Sequence, residues 1–273
     1  MEKKRLHLLS LFTLAYLISW LLWLSLVTVG QGWATGTAWP YLHALGFSGP
    51  ALAAIIVTAV QVGSMGVKHL LAGVFKFRFD FRYYLFVLII PPLFFTIAAG
   101  IAVLLGEPWP DLKLYGRLDD LFPGFGLLPT ILAHFLIIGL GEEIGWRGYA
   151  LPRLQDQRPA WQASIILGVI WGLWHLPTFI FSGGILEGLG TTFGFVIVTI
   201  PVAVIYTWLY NSTGGSILIV ALWSTATTLA IASQAASPVI SGVMGAMFVI
   251  LALVLVRLGG PERLSGWTRS SSV

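Results

Sequence analysis

Eight blocks of predominantly apolar residues follow one another along the 273-residue sequence. They lie at about 7–29, 48–66, 83–105, 128–151, 161–181, 190–210, 214–233 and 238–257. A transmembrane helix needs about 20 such residues, whereas the strands of a membrane β-barrel alternate apolar and polar positions. The sequence therefore predicts an all-α bundle of about eight transmembrane helices, which forms a single integral membrane domain over residues 1–273.

The scarcity of charged residues excludes several other classes of protein. Asp, Glu, Lys and Arg make up 10% of the chain, whereas they make up about 25% of an average soluble domain. This difference excludes a soluble globular enzyme, a disordered chain and a nucleic-acid-binding module that is built on a broad basic face. The sequence contains no cysteine, which also excludes disulfide frameworks, thiolate metal sites and a cysteine nucleophile.

The cationic residues are distributed unevenly among the predicted loops. Thirteen of the 15 Lys and Arg residues fall on one side of an even-numbered set of spans. They are Lys3, Lys4, Arg5, Lys68, Lys76, Arg78, Arg82, Arg147, Arg153, Arg158, Arg257, Arg263 and Arg269. Because Lys and Arg concentrate in cytoplasmic loops, we predict that both termini are cytoplasmic, in a multi-pass protein of a bacterial plasma membrane. The net charge of +4 then reflects topology in the lipid bilayer and not a nucleic-acid partner.

Two adjacent carboxylates, Glu142 and Glu143, lie inside the fourth apolar block. A charge at the centre of a bilayer costs at least about 2.5–3.5 kcal/mol, so each of them needs an explanation. Glu143 and Arg147 are spaced i, i+4 on one helix face, and we predict that they form an ion pair that supports the helix. Glu142 points about 100° away and has no such partner in its own helix. Since a buried carboxyl that exchanges a proton suits general acid–base catalysis, Glu142 is a candidate catalytic residue.

A histidine lies inside the fifth block. His175 follows Trp171 by one helical turn, on the same face, and precedes Pro177 by two residues. Its neutral ring can accept a proton from water or bind zinc, and the alternative is a histidine that is hydrogen-bonded within the bundle. The unexplained Glu142 favours a catalytic His175. His134 faces about 80° away from Glu142 on a helix, and we interpret it as a packing or supporting residue.

The seventh block contains Ser224 and Thr228, which are spaced i, i+4 on one face. Membrane helices commonly use Ser and Thr for close packing and interhelical hydrogen bonds. These two residues, taken alone, therefore indicate packing.

The residues around these candidates resemble a known family. The segment from Glu142 to Arg147 resembles the E-E-x-x-x-R motif of the CAAX prenyl protease and bacteriocin-processing (CPBP) family of intramembrane proteases. The stretch from Trp171 to His175 is similar to its second motif, an aromatic residue followed four positions later by His. The resemblance covers about residues 130–230, which it marks as a catalytic core. It implies an eight-helix fold with a site open to the cytoplasm, in which Glu142 activates the attacking water and His175 assists it.

The chain departs from that family at the third motif, which is normally His-x-x-x-Asn. The corresponding positions hold Ser224 and Thr228. A catalytic zinc ion usually has three protein ligands, and without this His only Glu142, Glu143 and His175 are left to supply them. Hydroxyl groups can still donate hydrogen bonds to an oxyanion. The departure therefore favours a glutamate-activated water that requires no cofactor over a zinc site.

Three functions agree with these observations. The first is an endopeptidase that hydrolyses a peptide bond near the cytoplasmic membrane interface, in a membrane-embedded or membrane-associated polypeptide. The second is a catalytically impaired relative that binds or scaffolds partners in the membrane, which the altered third motif suggests. The third is a proton-coupled transporter, because paired intramembrane carboxylates also occur in proton relays.

Overall fold

The structure is a computed structural model that describes residues 2–30, 39–183 and 185–266, in which helices are joined by turns. The helices are α1 (Glu2–Gly30), α2 (Trp39–Gly46), α3 (Gly49–Val62), α4 (Ser64–Ala72), α5 (Arg82–Leu104), α6 (Leu127–Gln155), α7 (Ala160–Trp174), α8 (Leu176–Gly183), α9 (Ile185–Ser212), α10 (Ile217–Ile231) and α11 (Pro238–Gly259). Short 3-10 turns occur at Gly73–Phe75 and Leu112–Leu114. The predicted all-α class is confirmed.

Among the described residues, six helical segments are long and apolar enough to cross a membrane. They are Leu6–Leu24, Arg82–Leu104, Leu127–Gln155, Ala160–Ile180, Leu189–Ser212 and Pro238–Gly259. The α2–α3 pair passes this criterion only as one unit bent by 42°, and α10 is shorter, with 15 residues. These elements correspond in order to the eight predicted blocks, and the protein is an integral multi-pass membrane protein.

The second and fifth predicted blocks differ from the helices at their boundaries. The second block was predicted to continue to residue 66, but α3 ends at Val62 because Gly63 has a φ of 75°. Such a conformation turns the chain out of a right-handed helix and favours glycine. The fifth block is broken at His175, between α7 and α8. Pro177 lies immediately after this break, where its missing N–H removes a helical hydrogen bond.

The basic segments of the chain lie together at one end of the bundle. The Lys76 ammonium group donates a hydrogen bond to the carbonyl of Gly214 at 2.7 Å. The backbone N–H of Ala160 donates to the carbonyl of Glu262 at 2.9 Å. At the opposite end, the carbonyl of Arg117 accepts a hydrogen bond from the segment that follows α10. The helices therefore alternate in direction. An even number of spans also places the two ends of the bundle sequence on the same side. The predicted cytoplasmic location of the basic end stays a prediction.

Helix α6 combines two kinds of helical turn. The four-residue α-helical stretch Leu140–Glu143 lies between π-helical turns at His134–Gly139 and Ile144–Ala150. Such π turns are rare and frequently occur at functional sites. Glycine lets α3 approach the second of these turns closely, because a Cβ atom built on Gly145 would lie 2.5 Å from the carbonyl carbon and oxygen of Pro50.

We expect Gly145→Ala to lower the free energy of unfolding by about 1–3 kcal/mol, because overpacking against backbone forces the two helices apart. Gly100→Ala is the matched control, since Gly100 lies inside α5 and a Cβ atom there would meet nothing within 4 Å. The control should be as stable as the wild type. Thermal unfolding in detergent, followed by circular dichroism, measures both variants. Equal losses for the two variants would contradict the close α3–α6 contact.

Candidate active site

Helix α6 carries the adjacent carboxylates into the centre of the bundle. It continues past Arg147 to Gln155, so that Glu142, Glu143 and Arg147 all lie within the membrane-spanning helix. Glu142, Glu143 and Arg147 are 4%, 0% and 0% exposed. All three therefore depend on protein partners and not on bulk water for their hydrogen bonds.

Glu143 and Arg147 form the ion pair that their i, i+4 spacing predicts. Arg147 Nη1 donates to Glu143 Oε1 at 2.9 Å, with both side chains fully buried. The guanidinium carbon also lies 4.2 Å from the ring centroid of Tyr206 and 5.0 Å from that of Trp171. Aromatic faces attract cations, so the pair compensates the buried charge of Glu143 and ties α6 to α7 and α9.

Glu142 is joined to His175 through Trp171. The indole Nε1 of Trp171 donates to Glu142 Oε2 at 2.5 Å. His175 Nδ1 lies 2.8 Å from the backbone carbonyl of Trp171. Because a carbonyl oxygen only accepts, Nδ1 carries the proton of the neutral ring and Nε2 keeps a free lone pair. Trp171 therefore binds the carboxylate of Glu142 through its indole N–H and the imidazole of His175 through its backbone carbonyl. It adds no charge to the site.

A cavity of about 300 Å³ brings the sequence-predicted residues together. Glu142 and His175 line it, and so do Ser224 and Thr228 of α10. Glu143 is not among the lining residues. Most of the other lining residues are apolar, and this wall lowers the local dielectric and strengthens electrostatic interactions inside the cavity. Apart from Glu143 and its partner Arg147, the predicted site residues thus share one cavity.

The cavity extends toward the end of the bundle opposite the basic segments. Its lining includes Leu121, in the turn region before α6, and Ala232, which directly follows α10. Both residues lie at the end where Arg117 is found. If the basic end is cytoplasmic, as the sequence predicts, the cavity extends away from the cytoplasm, and this disagrees with the cytoplasmic opening that the family resemblance implies.

Two further hydroxyl groups lie at the cavity that were not predicted to belong to the site. Tyr206 and Thr227 line the cavity, and the Tyr206 hydroxyl interacts with the side chains of Ser224 and Thr227. The Thr227 hydroxyl itself donates to the carbonyl of Trp223 at 2.8 Å. No motif marks Tyr206, and its position in an apolar span was the only available signal.

His134 also lines this cavity, from the first π turn of α6. Its Nδ1 lies 3.2 Å from Thr225 Oγ1, whose own proton is donated to the carbonyl of Ala221 at 2.9 Å. Thr225 can therefore only accept from His134, and the imidazole Nε2 is left without a partner among the described residues. This bond joins α6 to α10 next to Ser224, in agreement with a supporting role.

The three residues that the sequence suggests as metal ligands, Glu142, Glu143 and His175, are not arranged as a metal-binding site. Within the described residues, no group of three or more His, Asp or Glu residues is placed to hold a metal ion. Glu143 is bonded to Arg147 and does not line the cavity, so only Glu142 and His175 are left. A catalytic zinc ion usually has three protein ligands, and the residues present do not fit that requirement.

Comparison with known proteins finds a similarity over the segment that supplies most of the cavity lining. A family model described as "Type II CAAX prenyl endopeptidase Rce1-like" matches residues 124–230. This segment is similar to the Rce1-like family. The predicted resemblance to the CPBP family of intramembrane endopeptidases is thereby confirmed. The Rce1-like segment includes α6, α7 and nearly all of α10, and therefore every candidate site residue described above.

A curated relative is similar to about a third of the chain. CAAX prenyl protease 2 of Methanococcus maripaludis is 34% identical over 98 residues, which are 33% of this chain and 35% of the relative. The chain thus spans about a third of the length of that relative. This similarity agrees with the match to the Rce1-like family model.

Proposed function

We propose that the protein is an intramembrane endopeptidase that hydrolyses a peptide bond of a membrane-embedded or membrane-associated polypeptide. One observation carries the proposal. Glu142 is a buried carboxyl that forms no ion pair with a described residue, and His175 has an Nε2 lone pair to which no described residue donates. Both line the same cavity and are connected through Trp171. The match of residues 124–230 to a family of prenyl endopeptidases supports the same class of reaction.

In this proposal, Glu142 acts as the general base. It takes a proton from a water molecule, whose oxygen attacks the carbonyl carbon of the scissile peptide bond. His175 Nε2 accepts a hydrogen bond from the same water and orients it. When the C–N bond breaks, Glu142 returns the proton to the leaving nitrogen, so that one product ends in a carboxyl group and the other in an amine.

Hydroxyl groups stabilise the negative charge that develops on the carbonyl oxygen. Ser224 and Thr228 replace the usual residues of the third motif and line the cavity, together with the phenol of Tyr206. Removal of one oxyanion donor costs about 10²–10³-fold in rate, so hydroxyl donors at these positions retain much of the function. The proposed reaction is routed through the carboxylate and requires no metal, because the donor set falls short of a zinc site.

The altered third motif favours a second candidate function. A relative that has Ser224 and Thr228 in place of His and Asn could bind a polypeptide in the cavity without cleaving it, and act as a membrane scaffold. This alternative predicts that Glu142→Gln leaves the cellular function intact, whereas an endopeptidase loses it. A proton-coupled transporter has less support, because Glu143 is paired with Arg147 and only one of the two carboxylates faces the cavity.

The test uses purified protein in liposomes that contain a library of cleavable membrane peptides. We expect the wild type to generate new peptide termini, detected by mass spectrometry, and Glu142→Ala to generate none. Cleavage that persists in Glu142→Ala would overturn the assignment of the base. Peptide retention without cleavage by the wild type would support the scaffold instead, and solute uptake driven by a pH gradient would support transport.

A further inference from the structure

A second cavity, of about 600 Å³, lies at the end of the bundle where the basic segments meet. It is formed where the start of α1, the segment after α4, the end of α6 and the turn between α9 and α10 come together. The lining residues with polar or charged side chains are His7, His69, Lys76, Arg153, Asp156 and Tyr210. None of them lines the candidate active site.

Two cationic side chains of this basic cavity, Lys76 and Arg153, donate hydrogen bonds to uncharged backbone carbonyls. Lys76 Nζ donates to the carbonyl of Gly214 at 2.7 Å, and Arg153 Nη1 donates to the carbonyl of Tyr149 at 2.9 Å. The Arg153 guanidinium also lies 3.5 Å from the centroid of the Tyr149 ring. A lysine has three N–H donors and an arginine five, so most of these donors are available to a ligand.

The positive charge of the cavity is not balanced by the described residues. The ion pairs of the described residues include neither Lys76 nor Arg153. Asp156 is the only carboxylate among the described lining residues, against the two permanent cations. The cavity therefore attracts an anion.

The backbone around Lys76 fixes the position of its side chain. Gly214 and Gly215 form a turn with φ angles of 64° and 87°, a conformation that suits glycine. The Ser216 hydroxyl of this turn donates to the backbone carbonyl of Lys76 at 2.6 Å. The turn thus contacts both the backbone and the ammonium group of Lys76, which preorganises one wall of the cavity.

We propose that this basic cavity binds the phosphate headgroup of an anionic phospholipid. It lies at the ends of the membrane-spanning helices, which is the depth of the lipid headgroups, and basic pockets between helix ends are suited to such headgroups. Arg presents a planar fork of donors to phosphate oxygens, and Lys adds a compact positive charge. The basic cavity is separate from the proposed protease cavity, and lipid binding there does not depend on proteolysis.

The test compares two double variants that remove the same charge. Lys76→Gln with Arg153→Gln removes the cations of the cavity, whereas Lys68→Gln with Arg78→Gln removes two exposed cations that do not line it. Native mass spectrometry of protein from nanodiscs of mixed phosphatidylglycerol and phosphatidylcholine measures the retained lipid. We expect the wild type to retain phosphatidylglycerol preferentially. The affinity of the cavity variant should fall by about tenfold or more, and that of the matched control by less than about twofold.

Three outcomes would overturn the proposal. They are equal losses in the two double variants, equal retention of phosphatidylcholine, and displacement of the lipid by inorganic phosphate alone, which would assign the site to a soluble phosphate. Thermal unfolding in pure phosphatidylcholine shows whether both double variants are folded. If the Arg153 substitution prevents folding, Lys76→Gln is compared with Lys68→Gln, and the same difference in direction is required.

Discussion

Glu142→Gln is expected to reduce kcat for peptide cleavage by about 10²–10⁴-fold, the range that a positioned general base contributes. The substitution keeps the size of the side chain and an oxygen that can accept the Trp171 hydrogen bond, but it removes the ability to take a proton from water. KM should change little, because the cavity keeps its shape. Cleavage of a peptide identified in the library screen, followed in liposomes over a range of substrate concentrations, measures both quantities.

Glu107→Gln is the matched control for the loss of one carboxylate. Glu107 lies outside the cavity, where its carboxylate accepts a hydrogen bond from Ser237 at 2.5 Å. This variant should cleave at the wild-type rate. A Glu142→Gln protein that is folded and keeps kcat within tenfold of the wild type would show that Glu142 is not the base, and water activation would then have to be assigned elsewhere.

The parts of the fold that depend on local sequence were predictable. Long apolar runs gave the order of the helical elements, and the asymmetry of Lys and Arg agrees with their alternation, because both signals can be counted along the chain. The number of spans agrees only roughly, since six helices of the described residues are long enough to cross a membrane and the α2–α3 pair and α10 fall short of that criterion. Helix α2 was missed, since the segment Trp39–Gly46 is too short to span a membrane and crosses only together with α3. The π turns of α6 could not be predicted from the sequence either, because a change in backbone hydrogen bonding leaves the pattern of apolar residues unaltered.

The same distinction applies to the candidate site. The pair Glu143–Arg147 was predictable, because one helical turn joins the two residues. The bond between Trp171 and Glu142 depends on how α7 packs against α6, and it joins residues that are 29 positions apart. Tyr206 reaches the cavity from α9 by the same kind of long-range packing. Local periodicity contains no information about such contacts.

Arg147→Met is expected to lower the free energy of unfolding by about 3–5 kcal/mol, because it leaves the buried carboxylate of Glu143 without a partner. Methionine keeps an apolar chain of similar length, so the effect is mainly that of the lost charge. Arg153→Met is the control in the same helix. Arg153 is half-buried and forms no ion pair with a described residue, and we expect a loss of about 1 kcal/mol or less. SDS titration in mixed micelles measures both variants.

The double variant Glu143→Leu with Arg147→Met separates charge from packing. Replacement of both partners of a buried ion pair by apolar residues is often neutral or stabilising, so this protein should recover most of the stability that Arg147→Met loses. Arg147 also contacts the rings of Tyr206 and Trp171, and the double variant loses those contacts as well. If the double variant is no more stable than Arg147→Met, the guanidinium stabilises the bundle through the two aromatic rings, and the burial of Glu143 then has another compensation.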